Sequence, residues 1–148
     1  MIWKPHATVA AVLEQNGRYL LVEERINGQT LINQPAGHLE QGESLLDACV
    51  RETIEEAGLV FRPTCLIGIY QWRAPENGAT YLRAAFGGEI EQIIDNAVLD
   101  KGIIGPIWLS ADDARACAVR HRSPLVMACI DDHLAGRRYP LDTIRHFS

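Results

Sequence analysis

No run of about eighteen apolar residues occurs anywhere in the 148-residue chain, so no transmembrane helix is expected. The opening Met1-Ile2-Trp3-Lys4-Pro5 lacks the apolar core and small-residue cleavage site of a secretory signal. Basic residues are outnumbered, with 14 Lys and Arg against 19 Asp and Glu and a net charge of -5. A nucleic-acid groove would normally show a basic patch, so none is expected. Arg120-His121-Arg122 and Arg137-Arg138 are small local positives. Cysteine is sparse and scattered: Cys49, Cys65, Cys117 and Cys129 form no C-x-x-C pair. Zinc ligation is therefore not expected, and four buried reduced thiols in a cytoplasmic protein are. Internal repeats, linkers and low-complexity stretches are also absent, and this length suits one domain spanning 1–148 with a two-layer core.

What is present alternates between strand and helix signals. Asn16-Gly17 separates the apolar runs Thr8 to Leu13 and Arg18 to Glu24, which predicts a hairpin. Leu31-Ile32 reads as a short strand before a tight Pro35-Ala36-Gly37 turn. Cys65 to Trp72 and Tyr81 to Ile90 read as strands joined by Pro75-Glu76-Asn77-Gly78. Glu91 to Pro106 has no clear period and reads as a long loop, Ile107-Trp108-Leu109 as a buried strand. Ser110 caps a brief helix, and Ser123-Pro124 opens a longer one ending at Gly136. Separated helices among strands suggest an α+β or three-layer arrangement.

The segment from Gly37 to Leu59, GHLEQGESLLDACVRETIEEAGL, carries the chemistry. Ser44 is an N-cap with Asp47 three residues on, and Gly58 ends the helix. At about 100° per residue, Leu46, Val50, Thr53 and Ala57 share one stripe that predicts the core face. Glu52, Glu55 and Glu56 share another arc of roughly 100°. Glu52 and Glu56 are four apart, a like-charge spacing that costs a helix about 0.2–0.5 kcal/mol. A divalent cation converts that cost into binding, because hard cations are held by carboxylate oxygens. Acidic helix faces are usually just solvated and mix Glu with Lys, whereas this helix has Arg51 as its single basic residue. Arg51 could reach back to Glu43 or bridge to the glutamates.

The spacing Gly37, Glu43, Arg51-Glu52, Glu55-Glu56, Gly58-Leu59 matches the Nudix box, so the chain resembles the Nudix hydrolases. One position departs: Thr53 stands where the family has an aliphatic residue, on the core stripe, where its hydroxyl can bond back to the helix. Trp3-Lys4-Pro5-His6, Ile32 to Glu40, Gln71-Trp72, Arg122 to Val126 and Arg138-Tyr139-Pro140-Leu141 are similar to the NudJ-type phosphatase subfamily. The resemblance implies an α/β/α sandwich around a mixed β-sheet. It implies Mg²⁺, or Mn²⁺, on Glu52, Glu55, Glu56 and the Gly37 carbonyl, with Arg51 orienting the glutamates and Glu52 or Glu55 assisting deprotonation of water. A fourth carboxylate is expected from Glu89, Glu91, Asp95 or Asp100, with Glu89 and Glu91 sharing strand parity.

The implied reaction is hydrolysis of phosphoanhydride bonds in nucleoside tri- and diphosphates and in the pyrimidine pyrophosphate precursor of thiamine, with release of orthophosphate. The implied partner is therefore a small nucleotide or pyrophosphate. Trp72, Tyr81 and Tyr139 are candidates to stack on a base, and Arg73, Arg83 and Arg122 to reach phosphate. Among the histidines, His38 follows the metal turn directly; the others read as ordinary surface or core residues. Pro75, sixteen residues past Leu59, lies where ADP-ribose hydrolases often carry a proline, though a turn explains it equally. A rival from another class is a catalytically silent nucleotide-binding module, against which stands the complete set of box glutamates.

Overall fold

The computed structural model describes residues 1–148. Along the chain run β1 (His6–Val12), β2 (Glu14–Gln15), β3 (Arg18–Ile26), β4 (Gln29–Asn33), β5 (Ala36–His38), α1 (Leu45–Ala57), β6 (Leu59–Arg73), β7 (Thr80–Ile93), β8 (Ile103–Leu109), α2 (Ala111–Ala116) and α3 (Leu125–Leu134). One sheet has the order β5-β1-β7-β6; β1 and β7 are parallel and the other pairs antiparallel, so the sheet is mixed. In the second, β8 lies along one edge of β3 while β2 and β4 share the other.

Alternation along β1 and β7 builds two cores, because successive side chains of a strand point to opposite faces. Val9, Ala11, Ala84 and Phe86 pack with Ala48, Cys49 and Ala57 of α1. Ala10, Val12 and Ala85 pack with Val126, Cys129 and Ile130 of α3. The mixed sheet thus lies between α1 and α3, the expected α/β/α arrangement. Each large side chain buried here, Phe61, Phe86 and Ile130 among them, contributes about 1.5–3 kcal/mol.

Several local expectations need correction. Asn16 and Gly17 do adopt positive φ, 54° and 78°, and turn a hairpin, but its strands are β2 and β3. β1 belongs to the other sheet, because the chain crosses between sheets at Leu13, whose carbonyl accepts from Leu20 N–H. The long loop is shorter than expected: β7 runs on to Ile93 and β8 begins at Ile103, taking Ile107-Trp108-Leu109 as its half-buried end. On α1, Thr53 and Ala57 are buried as expected, whereas Leu46 and Val50 are only half-buried. Ala48 and Cys49 go deeper, which turns the core face toward the glutamate side. All four cysteines are free, but only Cys49 and Cys129 are buried.

Candidate active site

Helix α1 starts where Ser44 accepts from the Asp47 N–H and stops where Gly58 turns left-handed at φ 64°. Thr53 Oγ1 donates to the Cys49 carbonyl at 2.8 Å, so its hydroxyl is satisfied inside the core. The helix lies against β5, and this contact explains Gly37: a Cβ there would sit 2.1 Å from Cδ of Glu52. One turn along, Glu56 Oε1 accepts from the Ala36 N–H at 2.9 Å. The glutamates of the helix and the backbone of the Pro35-Ala36-Gly37 turn are thereby one unit.

Arg51 ties the unit together. Its Nε and Nη2 donate to both oxygens of Glu43, at 3.0 and 2.7 Å. Nη1 donates to Glu52 at 2.8 Å and Glu55 at 3.1 Å, and Nη2 also reaches the His38 carbonyl at 3.0 Å. The guanidinium holds the Glu43 carboxyl below its usual range, and the glutamates raise the Arg51 pKa in return. Glu52 titrates above its usual value because burial outweighs the help from Arg51. Burial pushes Glu56 furthest, up to about 8, against the opposing Ala36 hydrogen bond.

Oxygens of Glu52, Glu55 and Asp100 all lie within 4.8 Å of one another; Glu56 stands beside this group. Asp100 arrives because its own N–H donates to the Glu55 carbonyl at 2.9 Å. The other late acids go elsewhere. Glu89 pairs with Arg62 at 2.7 Å on an exposed stretch, and Glu91 and Asp95 are exposed. The parity of Glu89 and Glu91 breaks because pairing jumps from Val60–Gln92 to Phe61–Ile90, leaving Glu91 as the extra residue of a bulge. Carboxylate oxygens this close, outnumbering their cation, suit a hard divalent ion.

A cavity of about 700 Å³ extends from Glu52, Glu56 and Gly37 to Trp72 and Tyr81. Trp72 stacks on Tyr81 with centroids 5.9 Å apart, and Tyr81 on His6 at 4.9 Å. His38 meets His6 edge-on beside that row, its Nε2 3.3 Å from His6 Nδ1, and burial lowers its pKa. Arg122 lies on the cavity wall, donating to Glu24 at 2.7 Å. Arg83 lines the cavity from inside the sheet and is nearly buried. Two expected residues are not brought in. Arg73 neighbours Trp72 on β6 and so points to the other face; it does not line the cavity. Tyr139 instead exchanges backbone hydrogen bonds of 2.8 Å with Leu66 on the edge of β6. His6, expected to be an ordinary histidine, and Asn33 and Gln34, given no site role, meet the site residues Tyr81 and Arg83. The signals for the last two were their place just before the Pro35-Ala36-Gly37 turn and within the segment Ile32 to Glu40 similar to the NudJ-type subfamily.

Comparison with known proteins follows the same lines. A NUDIX domain model matches residues 4–129. The phosphatase NudJ of Escherichia coli strain K12 is 44% identical over 147 residues, covering 99% of this chain and 95% of that protein. Among solved structures, a NUDIX hydrolase from Nitrosomonas europaea is 51% identical with a TM-score of 0.94, covering 97% of this chain and 98% of its own. The E. coli ORF135 protein, 22% identical with a TM-score of 0.72 over 90% of this chain and 91% of its own, shares the fold. No helix is long and apolar enough to cross a membrane. A matching domain model, a near full-length relative and an intact glutamate helix agree: the chain belongs to the Nudix family of hydrolases.

Proposed function

We propose that the chain is a Mg²⁺-dependent hydrolase of phosphoanhydride bonds in nucleoside tri- and diphosphates and in the pyrimidine pyrophosphate precursor of thiamine, releasing orthophosphate. The observation that carries this reading is the meeting of Glu52, Glu55 and Asp100 oxygens within 4.8 Å, with Glu52 also lining a cavity that extends to the stacked Trp72 and Tyr81. Similarity to a protein named for phosphatase activity supports the substrate class.

In this reading Glu52, Glu55 and Glu56, with Asp100 and the Gly37 carbonyl, hold the divalent ion, Mg²⁺ or Mn²⁺. An ion held there would supply charge neutralisation for the phosphates and make water more acidic. Arg51 fixes the glutamates in place through its forked contacts to Glu43, Glu52 and Glu55. Either Glu52 or Glu55 takes the proton of the attacking water. Trp72 and Tyr81 stack on the ring of the substrate, a contact worth about 1–3 kcal/mol. Arg122, half-exposed and held by Glu24, meets the phosphate chain at the rim.

The test is orthophosphate release from GTP, GDP and the thiamine-precursor pyrophosphate, with Mg²⁺ and with chelator. Release from all three that stops on chelation is expected. If none is cleaved at high enzyme concentration, the phosphatase reading is lost, and pyrophosphate-bond cleavage of a nucleoside diphosphate derivative such as ADP-ribose becomes the next assay.

A further inference from the structure

Arg83 is a buried cation with no carboxylate partner. It stands on β7 opposite Thr8 of β1 and Tyr70 of β6, and 5% of the residue is exposed. Every group its head meets is neutral. Nη1 donates to Gln34 Oε1 at 2.9 Å and lies 3.7 Å from Cys129 Sγ, and Nη2 donates to Asn33 Oδ1 at 2.9 Å. Burial raises the Cys129 pKa, so that sulfur stays a thiol and brings no negative charge. Buried charges are ordinarily paired or neutralised, and a guanidinium cannot lose its proton. The protein alone therefore leaves this charge unanswered.

The planar head shows where an anion fits. Gln34 and Asn33 take one hydrogen each from Nη1 and Nη2. On its side edge Nε–H has no partner in the protein, and Nη2 keeps a second hydrogen beyond the one given to Asn33. No side-chain nitrogen or oxygen is both fully buried and unpaired, so Nε reaches open space, and the residue lines the cavity. Asn33 stands beside it. Its Oδ1 accepts from Arg83 and from the Gln34 N–H at 3.0 Å, which leaves Nδ2 as the free end. Gln34 is held in turn by donating from Nε2 to the Val126 carbonyl at 2.8 Å. Arg83 and Asn33 thus each bring a free donor to this part of the wall.

We infer that the Arg83 side edge, with Asn33 Nδ2, is a subsite for phosphoryl oxygens and holds the phosphate that stays with the product. A guanidinium edge matches two oxygens of one phosphate as a forked donor. Strand register gives the subsite its place. His38, Thr8 and Arg83 form one row across the sheet, and His6, Tyr81 and Trp72 form the next row outward. Along the strands Arg83 falls between the Ala36-Gly37 backbone, which meets Glu56 and Glu52, and the aromatic row, and residues of all three line one cavity. With the ring on that row, the terminal phosphate of the chain is the one presented to the carboxylates. The inference rests on the hydrolase reading above, and it assigns the retained phosphate to a residue outside the box.

Binding of GMP and guanosine to the metal-free protein, followed by calorimetry under chelator, tests it without turnover. GMP is expected to bind wild type about tenfold or more tightly than guanosine, the scale of one charge-assisted forked contact. Arg83→Gln should lose that preference while guanosine affinity holds, and Arg83→Lys should keep part of it. Equal binding of GMP and guanosine by wild type overturns the subsite, even if Arg83→Gln does not fold. A preference that survives in Arg83→Lys and Arg83→Gln undiminished also overturns it. Loss of guanosine affinity with the GMP preference intact makes Arg83 a reader of the base, which overturns it too. Failure of the nucleotide hydrolysis assay with the GMP preference present would sink the reaction and leave the subsite standing.

Discussion

Arg51 and Arg83 serve two parts of one site, Arg51 beneath the carboxylates and Arg83 in the wall of the cavity, in opposite company. Arg51 gathers carboxylates: Glu43, Glu52 and Glu55 within hydrogen-bonding distance and Glu40 at 3.5 Å. Arg83 gathers amide oxygens and a thiol. The first end has more anion than cation, and burial keeps Glu52 and Glu56 reluctant to ionise. The second has a cation and no anion. A metal ion bound to a phosphate chain is complementary to both ends at once, which neither end is to the other.

The strongest way to break this contrast is to discharge the acidic end. Glu56→Gln keeps shape and hydrogen bonding, and it should lower turnover by at least about a hundredfold, as for loss of an electrostatic catalytic group. Thermal unfolding should change little at acid pH, where Glu56 is already protonated, and undiminished turnover would place the ion elsewhere. Asp100→Asn, which removes one carboxylate of the close trio, should cost about tenfold in turnover, while Glu91→Gln, on its exposed bulge, should cost nothing measurable. A matching loss for Glu91→Gln would transfer the role to it.

The smallest effect is on stability against pH. Folding lifts Glu56 from 4.5 to about 8, so between those values the folded chain holds a proton that the unfolded chain has released. Its contribution is therefore most favourable at low pH and declines as pH rises toward 8. Melting of the chelated protein should fall across that window, less so for Glu56→Gln. Parallel slopes in the two proteins would exclude Glu56 as the source.

The acidic end was legible because its signals are local. Ser44, Gly58, the glutamate spacing and Arg51 all sit within one helix and its caps, and the helix formed where they predict. Asp100 could not be chosen from four late acids, since its position depends on one backbone hydrogen bond to Glu55 across a loop. The cationic end was legible only as residue types. Alternation along β7 places Tyr81, Arg83 and Ala85 on one face, but the partners of Arg83 come from the end of β4, far off in sequence. Arg73 and Tyr139 misled for related reasons: a one-residue offset reverses the face of a strand, and a backbone bridge claimed the segment around Tyr139. Likewise the Asn16-Gly17 turn was readable, but the sheet that claims each neighbouring strand is decided by long-range pairing.

The backbone exchange between Leu66 and Tyr139 also bears on where this protein can be cut. The family match ends at residue 129, inside α3 and one residue before the fully buried Ile130. Leu141 and Ile144, further on, pack against the α1 core. An expression boundary drawn at the match would halve a helix and unseal the outer strand β6, leaving bare amides and carbonyls as a template for neighbouring chains. The tail covers that edge at Leu66 and closes over the α1 core through Leu141 and Ile144.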